Sequence, residues 1–176
     1  HGLRDTEDDN ETRLVKTLAG KYGLPVECER ALDLDSDMAS LEERARDSRY
    51  AFLEKARSHQ GANKIALGHT LNDQAETFLI HLLRGSGMSG LSGIPPVREG
   101  IIIRPLIETA RKDIINYLST RQLEYATDSS NLNKKHLRNR IRLELIPELM
   151  GYQPKLIENF GRLTSYMREE NEFIQA

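Results

Sequence analysis

Apolar residues recur along this chain in two alternating rhythms. Leu14, Leu18 and Tyr22 stand four apart and Gly23 follows them, which predicts a helix over 11–22. The Leu24-Pro25-Val26-Glu27-Cys28-Glu29 stretch reads as a short strand. Ser40 and Glu43 have the spacing of a capping box. They open a helix to about residue 59 that turns Leu41, Ala45, Phe52, Leu53 and Ala56 inward. Residues 64–68 form a compact apolar run, read as a central strand. From 72 to 83 the period is helical again, with Ala75, Phe78, Leu79, Leu82 and Leu83 on the inner face and Gly85 as the stop. Beyond a glycine-rich loop, Ile101-Ile102-Ile103 predicts another buried strand. Thr109 then caps a helix to about 120 that buries Ile114, Ile115 and Leu118. Because strand and helix alternate, the order predicts an α/β fold: a parallel sheet with right-handed crossovers, flanked by helices, and with 64–68 covered on both faces. Leu156, Phe160, Leu163, Met167 and Ile174 make one stripe on a last helix with no strand after it. Residues 1–150 therefore read as one domain and 151–176 as a C-terminal helical extension.

With 176 residues, of which 38% are hydrophobic, the chain has enough apolar surface for one ordinary core. A net charge of −2 gives no overall attraction to polyanions. Residues 1–60 carry 10 Lys and Arg against 14 Asp and Glu, leaving 15 against 13 for the rest. A polyanion is thus better sought in the second part. The single Cys28 rules out a disulfide framework or a multi-thiolate metal site from this chain; it suits a reducing, cytoplasmic setting. No apolar run is long enough to span a membrane. The chain opens on His1-Gly2-Leu3-Arg4 without Met or a signal-peptide pattern, so it reads as cut from a longer protein.

Three segments carry candidate chemistry. Residues 68–77, Gly-His-Thr-Leu-Asn-Asp-Gln-Ala-Glu-Thr, run from the end of a predicted strand into a helix, the place where open α/β sheets bind ligands. The spacing puts His69, Asp73 and Glu76 near one face. The acids either offset the helix dipole or form a metal or acid–base cluster beside amides that can hold phosphate. Between Gly85 and Gly93 four glycines follow a helix, making either a flexible connection or an anion-binding turn. From 129 to 143 there are five cations and no acid: Lys134, Lys135, Arg138, Arg140 and Arg142. Arg138 and Arg142 are one turn apart, suited to neighbouring phosphates, while Arg140 has the spacing to pair with Glu144 instead. Arg46 and Arg49 lie on the helix that ends near 59, where acids for ordinary ion pairing are close in sequence.

In their order, these segments resemble the tRNA(Ile)-lysidine synthetases of the N-type ATP pyrophosphatase, or PP-loop, group. The resemblance runs from His1-Gly2-Leu3-Arg4 through Ser40–Arg46 with Arg49-Tyr50, Gly68-His69 to Asp73 and Glu76-Thr77, Arg84-Gly85-Ser86-Gly87, Gly90-Leu91 and Ile103-Arg104-Pro105-Leu106. It ends with Asp128, Ser130-Asn131, Arg138-Asn139-Arg140-Ile141-Arg142 and Pro147. It implies a Rossmann-like domain that uses ATP and Mg²⁺ to adenylate the wobble cytidine of tRNA(Ile) with a CAU anticodon, after which the amine of free lysine displaces AMP. It also implies that Asp73 and Arg142 are catalytic, that Asp73 holds the metal, that His69 and Arg49 lie near ATP or the reaction centre, and that Glu76 binds the lysine. Lys134, Lys135, Arg138 and Arg140 would then meet tRNA, and a second copy of the chain stays open as a partner. The family's Ser-Gly-Gly-x-Asp-Ser nucleotide loop precedes the segment matched by His1-Gly2-Leu3-Arg4, so weak ATP binding by this chain alone is expected. Two alternatives stand beside this: a related thiolating tRNA enzyme of the same group, and an RNA-binding module without catalysis.

Overall fold

The computed structural model describes residues 5–29, 38–126, 134 and 136–175. They fall into two compact units, one from 1–65 with 124–128, the other from 66–123 with 129–176.

The first unit contains α1 (Asp5–Tyr22) and α2 (Met38–His59). α1 starts six residues earlier than its apolar spacing marks. α2 begins at Met38, so Ser40 lies inside the helix and does not cap it. Residues 24–29 are irregular and form no strand. Pro25 has no N–H to give a ladder, and the segment is tied by side chains instead: Glu27 accepts from Gln60 Nε2 at 2.5 Å and pairs with His59 Nδ1 at 2.8 Å.

The second unit is organised around α3 (Leu71–Leu83). Residues 74–80 of this helix are buried without interruption, so α3 is enclosed all round rather than on one stripe. Its end is a Schellman turn. Gly85, at φ +71°, sends its N–H to Leu82 and Ser86 sends its own to His81. Leu82 and Leu83, expected inside, are 49% and 62% exposed because the enclosure stops a turn before the helix does. The core joins Ala75, Leu79 and Ile80 of α3 to Ile141, Ile146 and Ile157. Phe78 stacks on Phe160 with ring centres 4.8 Å apart.

The glycine-rich loop is no slack connection. It contains α4 (Met88–Leu91), and the amides of 91–94 are all used internally, three on nearby carbonyls and Ile94 on the Gln74 side chain. That leaves no anion cradle over these residues. Gly93, at φ +69°, is required here, since a Cβ would meet Gln74 Oε1 at 2.5 Å.

Among the described residues the sheet is small: β1 (Ile65–Ala66), β2 (Val97–Arg98) and β3 (Ile102–Ile103), in the order β1-β3-β2. β2 and β3 are antiparallel, Val97 facing Ile103, across a reversal in which Glu99 and Gly100 both take positive φ. The α/β class holds, but the sheet is not wholly parallel, and the 64–68 run lies at its edge with β3 in the middle. α5 (Arg111–Thr120) follows, its N-cap being Ala110 and not Thr109. The Arg111 N–H finds its acceptor in Asn72 Oδ1 at 2.8 Å, while the Thr109 carbonyl accepts from Leu71.

The last segment is one helical run with a change of pitch: α6 (Leu137–Arg140), a π turn (Ile141–Leu145) and α7 (Ile146–Tyr152). Pro147 explains the pitch. It lacks an N–H and its ring would strike the carbonyl four residues back; the wider turn relieves this, and Ile146 donates five residues back to Ile141. α8 (Leu156–Gln175) packs in the same unit. Leu156, Phe160, Leu163 and Met167 are partly buried, whereas Ile174 is 68% exposed.

Candidate active site

Three polar residues, Gln74, Glu76 and Thr77, are buried in the enclosed part of α3, and each must find partners because unmatched polar groups in a core are costly. Each is matched by a different neighbour. Gln74 clamps the loop, donating to the Ile94 carbonyl and accepting from its N–H, both at 2.7 Å. Thr77 Oγ1 accepts from Arg138 at 3.1 Å. Glu76, only 1% exposed, is gripped on both oxygens by Arg142, from Nε at 2.6 Å and from a terminal nitrogen at 2.9 Å.

Arg142 sits on the π turn, and the same guanidinium lies 3.6 Å from Asp73 Oδ1. The other oxygen of Asp73 accepts from the backbone N–H and the hydroxyl of Thr70, both at 2.8 Å. Asp73 is thus the helix-start acid that its position suggests and also faces the arginine. Burial holds the Glu76 carboxyl above the ordinary glutamate value of 4.5; the Arg142 hydrogen bonds pull the other way and the Asp73 charge adds to the rise. Arg142, gripped by Glu76 against the opposing effect of burial, is shifted further up and stays a cation.

His69 precedes the Thr70 cap. Its Nδ1 accepts from Arg104 Nε at 3.3 Å, and Arg104, 5% exposed, also donates to the Pro95 carbonyl at 2.5 Å. In the Ile103-Arg104-Pro105-Leu106 motif, Arg104 carries no role that the sequence alone assigns. The available signal was a lone cation directly after three isoleucines, a place where burial forces it to find acceptors. Gln74 carried a weaker signal, a polar residue inside the apolar period of α3.

The structure therefore joins Asp73, Glu76 and Arg142 directly. The basic segment is only partly exposed as a cationic surface: Lys134 pairs with Glu144 at 3.0 Å, Arg140 reaches the same carboxylate at 4.0 Å, and Arg138 is turned to Thr77. Lys135 and residues 127–133 lie outside the described residues, as do 1–4. Arg49 is an exposed residue of α2 in the other unit, and Arg46 of the same helix stands 5.7 Å over the Tyr50 ring. Among the described residues no three His, Cys, Asp or Glu side chains converge as a metal site. What Asp73 can offer a Mg²⁺ ion is Oδ1, and this ion commonly takes one or two carboxylates with phosphate and water completing its shell. No described helix is long and apolar enough to cross a membrane.

The sequence profile of the PP-loop domain family matches residues 1–149. The chain is 38% identical over 174 residues to the tRNA(Ile)-lysidine synthase of Solibacter usitatus, covering 98% of the chain and 39% of that protein. It is 40% identical over 180 residues to the tRNA(Ile)-lysidine synthase of Symbiobacterium thermophilum, covering 99% of the chain and 37% of that protein. With a bifunctional TilS/HprT protein of Listeria monocytogenes the identity is 38% over 183 residues, 28% of that protein being covered. The chain thus spans about two fifths or less of the length of these relatives. Among solved structures, the U34-tRNA thiolase NcsA of Methanococcus maripaludis, with its [4Fe-4S] cluster, superposes with a TM-score of 0.67 at 14% identity, over 92% of this chain and 57% of that one. The fold is shared.

Proposed function

We propose that this chain, which belongs to the PP-loop domain family, is the catalytic part of a tRNA(Ile)-lysidine synthase. In this reading ATP adenylates C2 of the wobble cytidine of a CAU anticodon, and the ε-amine of free lysine then displaces AMP. The observation that carries it is the Asp73, Glu76 and Arg142 cluster at the start of α3, supported by the relatives named above. Adenylation builds negative charge on phosphate, and a guanidinium already fixed by two hydrogen bonds can meet that charge with little reorganisation. Arg142 has that role. Asp73 gives Oδ1 to Mg²⁺ when ATP is bound. Glu76 is the carboxylate that the resemblance assigns to the lysine ammonium; sealed at 1% exposure and held on both oxygens, it serves in this structure to position Arg142. His69 and Arg49 serve ATP and the reaction centre, and Lys134, Lys135, Arg138 and Arg140 serve the tRNA backbone. The neighbour's iron–sulfur chemistry needs thiolates, and this chain has one cysteine, which favours ligation over thiolation.

The experiment uses the longer protein carrying this chain, incubated with ATP, Mg²⁺, lysine and a tRNA(Ile) transcript with a CAU anticodon. Nucleosides are then analysed by mass spectrometry. Lysidine is expected from the wild type and not from Asp73→Asn or Arg142→Lys. Because Asp73 also caps α3, Asp73→Asn is expected to cost about 1 kcal/mol of stability, so the assay runs well below its unfolding temperature. No lysidine from the wild type, or full yield from Asp73→Asn, sinks the reading.

A further inference from the structure

Arg104 is the one cation in its stretch of chain that is buried, at 5% exposure, and the proposed chemistry leaves it without a task. Its two hydrogen bonds differ in kind. The one to the Pro95 carbonyl fixes the guanidinium; the one to His69 Nδ1 fixes the imidazole. An arginine has only donors, so the ring nitrogen it meets must supply a lone pair. A neutral histidine with a lone pair on Nδ1 carries its proton on Nε2.

We infer that Arg104 is a positioning residue that locks His69 in the Nε2–H tautomer, so that His69 offers its surroundings a hydrogen bond and cannot serve them as a base. The ligand chemistry that suits such a group is an anionic oxygen, above all a phosphate oxygen. This deepens the proposed function by giving His69 a sense of action within it, and in that respect it rests on that reading. The support for Arg104 runs further back. Pro95 follows Ile94, whose backbone is clamped on both sides by Gln74 of α3, and α3 begins one residue after the Thr70 cap that adjoins His69. One short circuit of hydrogen bonds thus joins the start of α3, the loop and the imidazole. A lysine in place of Arg104 has a single nitrogen to divide between a carbonyl and a ring, and cannot hold both in this geometry.

The test reads the ring itself and needs no substrate, so it stands or falls apart from lysidine formation. The chain, labelled with ¹⁵N in its histidines, is recorded by long-range ¹H–¹⁵N correlation at a pH where the rings are neutral, and His69 is assigned by the signals lost in His69→Gln. In the wild type His69 is expected at the limit of a single tautomer, Nδ1 bare and Nε2 protonated, while the exposed His136 shows the averaged pattern of an exchanging ring. In Arg104→Met, which keeps length and removes the donors, the His69 signals are expected to move toward that average. A proton on Nδ1 in the wild type, averaging as complete as that of His136, or unchanged signals in a folded Arg104→Met overturns the inference. Should Arg104→Met fail to fold, the wild-type comparison with His136 decides.

Discussion

Removing Arg142 is expected to cost far more than removing the charge it pairs with. In Arg142→Ala the Glu76 carboxylate, 1% exposed, loses both of its hydrogen bonds to a cation and cannot turn to water. Breaking a buried pair from that side costs about 3–5 kcal/mol. In Glu76→Gln the buried group becomes neutral and can still accept one bond, while Arg142, with 27% of its side chain exposed and Asp73 within 3.6 Å, is better placed to bear the loss. About 1–2 kcal/mol is expected there. With a urea slope of about 2 kcal/mol per molar, the first variant shifts the unfolding midpoint by about 2 M and the second by less than 1 M. The two also differ in pH dependence. Glu76 titrates above its ordinary value in the fold, so its contribution to stability is full below the unfolded value and is lost as pH rises through the folded one. Without Arg142 only the weaker pull of Arg138 opposes the desolvation, and the rise is larger. The deficit of Arg142→Ala against wild type therefore shrinks as pH falls through the variant's raised Glu76 value, each unit below it returning at most about 1.4 kcal/mol. Exposed acids whose values are lowered, such as Glu158 beside Lys112, lose their contribution only as pH falls below the ordinary 4.5, alike in both proteins, and so cancel from the difference. The double variant Glu76→Gln, Arg142→Met should be less damaged than the sum of its parts. A midpoint shift below 0.5 M for Arg142→Ala, or a deficit that does not change with pH, would refute the argument that a sealed carboxylate dominates this site.

The crowding at Gly93 is separable from its backbone. Gly93 and Gly100 both have positive φ, +69° and +65°, but only Gly93 has a neighbour where a Cβ would stand. Gly100→Ala should cost about 1–2 kcal/mol, and Gly93→Ala at least about 1 kcal/mol more; equal thermal shifts would show that Gln74 yields at no cost. Glu144→Gln removes the carboxylate shared by Lys134 and Arg140. Its binding to single-stranded RNA should be tighter and its dependence on log salt steeper by about 0.7 for each cation newly engaged, and filter binding from low to moderate salt with unchanged slopes would place the RNA elsewhere.

What the sequence disclosed depended on how local the determining force was. Gly85 announced a helix end because only a glycine readily takes the φ that a Schellman turn requires. The period of α3 announced the helix but not its enclosure: Leu82 and Leu83 obey the period and are exposed, while Gln74 and Glu76 break it and are buried. Their partners, Ile94 and Arg142, are 20 and 66 residues away, and no local pattern encodes such distances. The strands illustrate the opposite limit. Two-residue elements like β1 and β2 are decided by pairing, which is why 24–29 with its suggestive composition forms none. Asp73 and Arg142 stood out as candidate chemistry through their order along the chain, Arg104 only once its burial was known.

The π turn has a geometric consequence for anyone aligning or mutating this segment. It places one extra residue in the helical run from 137 to 152, and a residue in an α-helix advances the azimuth by about 100°. A single helical wheel drawn through the run thus misplaces one half by that angle, and the two halves must be phased separately. A deletion within α6 or α7 acts as a rotation of about 100° rather than as a change of length. A deletion between 141 and 145 instead removes the extra residue, closes the run into one α-helix and keeps the two halves in their present phase, with the Pro147 ring set against the carbonyl four residues back. In this segment the count of residues, more than their identity, determines which side chains face α3.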